Sequence, residues 1–355
     1  MRAARRLLRS SLRRALPKSS HLAREAKLFA TCTRSAANAV PAPCPEEVRK
    51  ILGVRRACPE AKRRVEARIY WCRVLNASTP AALDETERAA AARIAPPHFE
   101  AARHELEQEF GESITLDGLT GDWFIFQRAR GHRHSVDDVL TAAYALEVSP
   151  VVPRHLDLGT GIGTVGLLVL WGMGKQALLT AIEAQAVSHR LLVANITENG
   201  LSQRVQTLHG DLRELEASER FPLITGSPPY FPTSAGIVPQ DSQKAHARFE
   251  LRGDVSDYAR AAQRHLLPGG WFVFCFPTPQ KARALAAVAG AGLCVARLRD
   301  VIPRAGLAPL FSLFACRLAG EVGDCVLDAS LVVRGEDGQL SSEMQAVRHG
   351  FGFPR

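Results

Sequence analysis

The chain of 355 residues contains no apolar run approaching the ~18 residues that a membrane-spanning helix needs. Its longest candidate, 165–170, leads straight into Gly172 and Gly174, so no membrane partner is expected. Eight cysteines are present (Cys32, Cys44, Cys58, Cys72, Cys275, Cys294, Cys316 and Cys325), yet no two of them form a CxxC pair. Several lie in apolar runs such as "WFVFCF", where a thiol behaves as a small hydrophobe. Buried free thiols are expected, with neither a disulfide framework nor a bound metal. Acids are nearly missing from the first forty residues, where Glu25 stands against ten Lys and Arg.

That shortage locates the net charge of +9. Residues 1–40 carry +9, residues 41–73 carry +5 (nine Lys and Arg against four acids), and 74–355 carry −5. The opening "MRAARRLLRSSLRRALPKSSHLAREAKLFAT" is Arg-rich and Ser-containing, with Leu8, Leu12 and Leu16 spaced by four. Residues 1–35 therefore read as an organelle presequence, a basic amphipathic helix removed after import. A mitochondrion is the first destination this suggests and a plastid the second. A basic tail binding RNA or anionic lipid is the alternative. Residues 41–114 read as a helical basic extension. Within it "VRKILGVRRACPEAKRRVEARIYWCR" suits either an RNA phosphate backbone or a solvated helix face. "ETERAAAARIAPPHFEAARHELEQEFG" reads as helices broken by Pro96 and Pro97.

Residues 115–355 alternate strand and helix. "RHLDLGTGIGTVGLLVLW" gives a strand at 155–158, then Gly159, Gly161 and Gly163, then an apolar helix. Glycines there let the backbone turn sharply and let a nucleotide approach the helix N-terminus. "ALLTAIEAQ" is a second strand ending at Glu183, and "AVSHRLLVANITENG" a helix closed by Gly200. "RVQTLHGD" is a third strand ending at Asp211, "FPLITG" a fourth and "GGWFVFCFP" a fifth, followed by the helix "QKARALAAVAGAG". Such alternation calls for a parallel α/β sheet with helices on both faces and ligands at the carboxyl ends of the strands.

Two cofactors fit the glycine turn. "GIGTVG" satisfies the dinucleotide pattern GxGxxG, with Glu183 about twenty residues on. Asp157 argues against a dinucleotide, because its carboxylate would repel a pyrophosphate and attract the ammonium of a methionine moiety. Glu183 can take a ribose diol in either case, and Asp211 can accept from an adenine amino group. Each acid can equally be a helix N-cap at its strand–helix junction. The last strands, "CVARLRDVIPRAG" and "LAPLFSLFACRLAG", are joined too closely for a parallel return and must pair antiparallel. A mostly parallel, seven-stranded sheet ending in an antiparallel hairpin resembles the Rossmann-like class I methyltransferase fold, which implies S-adenosyl-L-methionine as cofactor.

The stretch "ITGSPPYFPTS" at 224–234 then finds a place. Two adjacent prolines remove two backbone donors and end the fourth strand in a rigid extended loop. An exocyclic amine is a poor nucleophile, since its lone pair is delocalised into the ring. To accept a methyl it needs two acceptors on its N–H groups and a clamp on the ring face. The Ser227 hydroxyl and the Pro228 carbonyl can be those acceptors, while Tyr230 stacks on the base. No general base is required, the proton being lost to water afterwards.

"SPPY" resembles the [N/D/S]PPY motif of amino-methyltransferases, with Ser in place of the commoner Asn. "FIFQRARGHRHSVDDVLTAAYA", "SPPYF" followed by "AHARFE", and the tail "DGQLSSEMQAVRHGF" are similar to segments of one family. Its members are the bacterial enzymes that N6-methylate adenosine in the anticodon loop of a valine tRNA. The similarity covers about residues 115–355. It implies that Asp137 lies over the methionine end of the cofactor and that Arg248 and Glu250 pin the substrate loop, although a surface ion pair would also explain those two. His132 and His134 read as solvated loop residues. The expected activity is methylation of the exocyclic amine of a nucleobase, foremost adenine N6, with cytosine N4 the other base the motif allows, in RNA and foremost tRNA. Two alternatives stay open: a glutamine methyltransferase of the release-factor type, and an RNA-binding or assembly factor without catalysis.

Overall fold

A computed structural model describes residues 95–353 except 150, 217, 235, 236 and 322. The expected presequence, 1–35, and the extension as far as residue 94 lie outside the described residues. Helix α1 (Pro97–Phe110) starts with a proline, whose missing N–H is no loss in a first turn, and stops at Gly111 in the left-handed region. It is the helix expected after the Pro-Pro break. Phe99 and Leu106 enter the same core as the elements that follow, with Phe99 against the rings of Phe124 and Phe126. The compact body therefore takes in α1 and begins ahead of residue 115, because the apolar face of this helix has its partner there.

Strands β1 (Ile114–Gly118) and β2 (Phe124–Arg128) form a separate antiparallel pair that the sequence reading did not contain. Helix α2 (Val136–Val148) follows, the Ser135 N–H donating to Asp138 Oδ2 at 3.1 Å. Then comes the expected alternation: β3 (Arg154–Leu158), α3 (Thr164–Gly172), β4 (Leu178–Glu183), α4 (Ala186–Glu198), β5 (Val205–His209) and β6 (Phe221–Gly226). After β6 the chain forms α5 (Ser242–Arg248), α6 (Val255–His265), β7 (Leu266–Pro277), α7 (Lys281–Gly290), β8 (Leu293–Ile302) and β9 (Phe311–Leu318). Two-residue strands β10 (Val326–Leu327) and β11 (Leu331–Val332) and helix α8 (Ser342–Gly350) close the chain.

The main sheet has the order β10-β8-β9-β7-β6-β3-β4-β5, with β11 also on β8. Strand β9 runs antiparallel to both its neighbours, and all other pairs are parallel. The expected hairpin is β8–β9, closed by inserting β9 between β7 and β8. The sheet has nine strands rather than seven, because β10 and β11 lengthen the β8 edge. Two residues have no periodicity to read. Central strands are apolar on both faces, as buried parallel sheets require. In β7, Phe272, Phe274 and Phe276 face one core while Val273 and Cys275 face the other. No described helix is long and apolar enough to cross a membrane.

Two asparagines, in and just after α4, hold the hairpin: Asn199 pairs with both backbone groups of Phe124, and Asn195 reaches further. Asn195 of α4 is fully buried, accepts from the Phe126 N–H at 2.7 Å and donates to the Ile162 carbonyl at 2.9 Å. It thus fastens β2 to the loop after β3. Asn195→Leu leaves both backbone groups without that partner in a water-free site, and should cost about 2–4 kcal/mol of stability. Chemical denaturation of the purified variant measures this. A midpoint like that of the native protein would mean that Asn195 is dispensable beside the Asn199–Phe124 and Arg128–Asp241 bonds.

Candidate active site

The carboxyl ends of β3, β4, β5 and β6 converge on one pocket. Its wall holds Gly159–Ile162, Glu183, Gly210–Leu212, Ser227 and Pro229, with His132, His134 and Asp138 on the side of α2. Gly159 and Gly161 both sit at φ 59, where an L side chain is strained. The two differ in surroundings. A Cβ on Gly159 would lie 2.0 Å from the Tyr258 hydroxyl oxygen, whereas one on Gly161 would meet only open space. Gly163, at φ 99, precedes the first residue of α3. The loop thus lets a ligand approach its backbone at Gly161 while Tyr258 of α6 packs beneath Gly159.

The acids are placed at these strand ends, each already partnered. Asp157 is 1% exposed. Its Oδ2 accepts from the Thr160 hydroxyl at 2.6 Å and the Gly166 N–H at 3.0 Å, and its Oδ1 from the Thr225 hydroxyl at 2.6 Å. Burial pushes its pKa up against those donors. The carboxylate expected to face a ligand's ammonium thus first shapes the loop that would hold the ligand. Glu183 is buried and accepts from the N–H groups of Gly161 (2.9 Å) and Gln185 (2.7 Å). Burial raises its pKa as well. Each of its oxygens keeps a lone pair for a diol. Asp211 makes a two-pronged ion pair with Arg213, which holds its pKa down. Acceptance from an adenine amino group there is shared with that guanidinium.

The Pro-Pro loop departs from expectation at one residue. Ser227 lines the pocket, its hydroxyl 3.8 Å from the Cys275 sulfur. The Pro228 carbonyl has no hydrogen-bond partner among the described residues, so both expected acceptors remain available. Tyr230 is not part of the wall. Its hydroxyl donates to Asp137 Oδ2 at 2.5 Å and touches the Cys275 sulfur at 3.1 Å, and its ring stands edge-on to Phe276. Burial, Cys275 and Asp137 raise the phenol pKa. In this arrangement the Tyr230 hydroxyl braces the loop against Asp137 and Cys275, and its ring meets Phe231 and Phe276 edge-on. Asp137 is likewise not on the wall: Ser135 and Tyr230 take its oxygens. Its neighbour Asp138 faces the pocket, since successive residues of a helix point about 100° apart.

The loop is tied down as the pattern "AR.E" suggested, though through backbone. The Tyr230 and Phe231 N–H groups donate to the Arg248 carbonyl, and the Glu250 N–H to the Phe231 carbonyl. Glu250 pairs with Arg283 and not with Arg248. Gln280 donates to the Tyr230 carbonyl at 2.7 Å. His132 and His134, read as solvated, are wall residues whose pKa values burial lowers. Lys244 and Arg248 act on His132 in the same direction, which marks a basic rim above the pocket. Asp138, Tyr258 and Arg252 also line the wall and were absent from the sequence reading. The spacing Ser135-x-x-Asp138, a capping signature, was the one available signal for Asp138. Among the described residues no cluster of His, Cys, Asp and Glu could hold a metal.

A mostly parallel sheet with this strand order and a glycine cradle at its carboxyl edge defines a class I methyltransferase fold. No family model matches the chain. A tRNA1(Val) (adenine(37)-N6)-methyltransferase of Pasteurella multocida is 31% identical over 175 residues, covering 49% of this chain and 71% of that relative. The chain belongs to the family of these tRNA adenine-N6-methyltransferases. It is also 37% identical over 171 residues to a release factor glutamine methyltransferase of Bordetella pertussis, covering 44% of this chain and 57% of the relative. The chain spans 64% of another tRNA1(Val) (adenine(37)-N6)-methyltransferase, from Actinobacillus pleuropneumoniae, so both of these are matched over less than two thirds of their length. Among solved structures, a predicted O-methyltransferase of Agrobacterium tumefaciens overlaps with a TM-score of 0.48 at 19% identity, over 61% of this chain and 96% of that one.

The residues present fit S-adenosylmethionine: an open backbone at Gly161, a diol acceptor in Glu183 and an acid at the end of β5. Gly159→Ala should abolish binding of S-adenosylhomocysteine, because its methyl must displace the buried Tyr258. Gly161→Ala should keep the fold at a cost of about 1–2 kcal/mol for the left-handed backbone. Calorimetry and thermal denaturation of both variants provide the comparison. Equal effects would show that Tyr258 does not support the cradle.

Proposed function

We propose that the chain is an S-adenosylmethionine-dependent N-methyltransferase acting on adenine N6 in RNA, foremost tRNA. The observation that carries this is the position of Ser227 and Pro229 on the same wall as Gly159, Gly161 and Glu183. An amine held by the Pro-Pro loop is thereby brought to the cofactor cradle. Bound there, S-adenosylmethionine supplies an electrophilic methyl on a sulfonium.

The chain's own residues orient the amine. The Ser227 oxygen and the Pro228 carbonyl take its N–H groups, and the prolines fix both in place beforehand, which is preorganisation. A flipped base would lie under the basic rim of Lys244, Arg248 and Arg252. Phe231, 41% exposed beside Tyr230, offers an aromatic face at that rim. The relatives methylating tRNA adenine support this target, and the Bordetella relative keeps a protein glutamine amide as its rival. The composition of residues 1–35 leads us to place the protein in the mitochondrion. N-terminal sequencing of the protein from its native cells, with Met1 intact, would sink that placement.

Mass spectrometry of RNA from cells lacking the protein should show loss of one N6-methyladenosine. Loss of N4-methylcytosine would move the base, and unchanged RNA with a hypomethylated glutamine would move the substrate class. Ser227→Ala should slow single-turnover methylation on the order of 10²-fold with little change in RNA affinity, since its acceptor matters most as the nitrogen gains positive charge. Native turnover by this variant would remove the hydroxyl from the mechanism.

A further inference from the structure

Ser227 carries a shorter side chain than the Asn common in such loops, and its hydroxyl, unlike an amide or the Pro228 carbonyl oxygen, holds a proton that must point elsewhere while the oxygen accepts. A carboxyl shares the pocket wall with it. Asp138, in the first turn of α2, lines the same pocket, and the nearby Ser227 hydroxyl eases its ionisation. The Ser135 N–H holds its Oδ2. The adjacent Asp137 is occupied by Ser135 and Tyr230 and faces away. If Ser227 donates its proton to Asp138, its lone pairs are left for the substrate, so the two side chains form one acceptor unit.

The geometry points to Asp138 as a catalytic residue that, with Ser227, accepts the target amine and takes its proton. This rests on the reading that the substrate is an exocyclic amine. In the transfer, the nitrogen lone pair becomes the new N–C bond and the electron pair of the broken S–C bond stays on sulfur. The N–H proton passes to an Asp138 oxygen and from there to water. A base is thus present where the sequence alone did not require one.

The carboxyl must be ionised to accept. Burial first, then Asp137 beside it on α2 and Asp157 from β3, push its pKa well above the ordinary carboxylate range. His132 and His134 share the pocket wall, and the neutral Cys275 thiol of β7 lies behind Ser227. The proton stays on Asp138 to higher pH than on a free aspartate, so the rate should rise with pH through this value.

The test is single-turnover methylation of an adenosine-containing RNA by the full chain, alongside RNA affinity, S-adenosylhomocysteine affinity and melting temperature. Asp138→Asn keeps an acceptor for the Ser135 N–H. It should lower the rate on the order of 10²-fold, leave both affinities within about twofold, and flatten the acid limb of the pH profile. In a Ser227→Asn background the same substitution should cost less than about tenfold, because the introduced carbonyl accepts without needing a carboxyl to take a hydroxyl proton. Ser135→Ala weakens the helix cap without removing the Asp138 carboxyl and should keep the rate. Loss of rate in Ser135→Ala equal to that in Asp138→Asn would make the effect one of helix folding and overturn the inference. So would a native rate and native acid limb in Asp138→Asn when the unmodified protein is active. A native protein inactive on every adenosine RNA tested overturns the proposed function and this inference together.

Discussion

The pocket depends on the hydrogen bonds gathered by the Asp157 carboxylate. A fully desolvated charge is costly unless donors surround it, and here three do: the Thr160 hydroxyl, the Gly166 N–H and the Thr225 hydroxyl. Each donor lies on a different piece of the site. Thr160 belongs to the glycine loop, Gly166 to the first turns of α3, and Thr225 to the strand that delivers the Pro-Pro loop. One side chain therefore sets the distance between the cradle and Ser227. The Thr160 N–H adds a bond to the Ile182 carbonyl, which brings the end of β4, and with it Glu183, into the same frame.

The Pro-Pro loop is braced on its other side by a second network. The Tyr230 hydroxyl, Asp137 and Cys275 meet behind it, and the Arg248 carbonyl receives the N–H groups of Tyr230 and Phe231. Cys275 is buried and its thiol pKa is pushed up to about 12, so it stays a neutral packing group. Asp241 caps α5 and also pairs with Arg128, which ties the segment after the loop to the β1–β2 pair. Rigidity at Ser227 and Pro228 thus comes from elements far apart in the chain, as a preorganised acceptor requires.

Much of this was legible in the sequence because it is periodic or local. Gly159, Gly161 and Gly163 after a strand, Glu183 and Asp211 at later strand ends, and the short link between the last two long strands fixed the sheet and the cradle. Features that depend on which way one side chain turns were not legible. Asp137 and Asp138 are adjacent and chemically identical, and only the rotation of α2 decides which faces the pocket. Tyr230 follows Pro229 in the motif, yet its orientation is set by Asp137 and by Cys275, distant in sequence. His132 and His134 read as solvated because nothing in their own segment shows that Gln243 of α5 closes over the loop, accepting from the His132 N–H at 3.2 Å.

The proposed function turns on one point: the amine held at Ser227 belongs to an adenine in RNA. Purified protein incubated with isotopically methyl-labelled S-adenosylmethionine, unmodified tRNA and a glutamine-bearing release factor tests it directly. Nucleoside and peptide mass spectrometry of the one mixture should find the label on N6 of adenosine and none on the protein. Label on a glutamine amide, with the tRNA unlabelled, would contradict it.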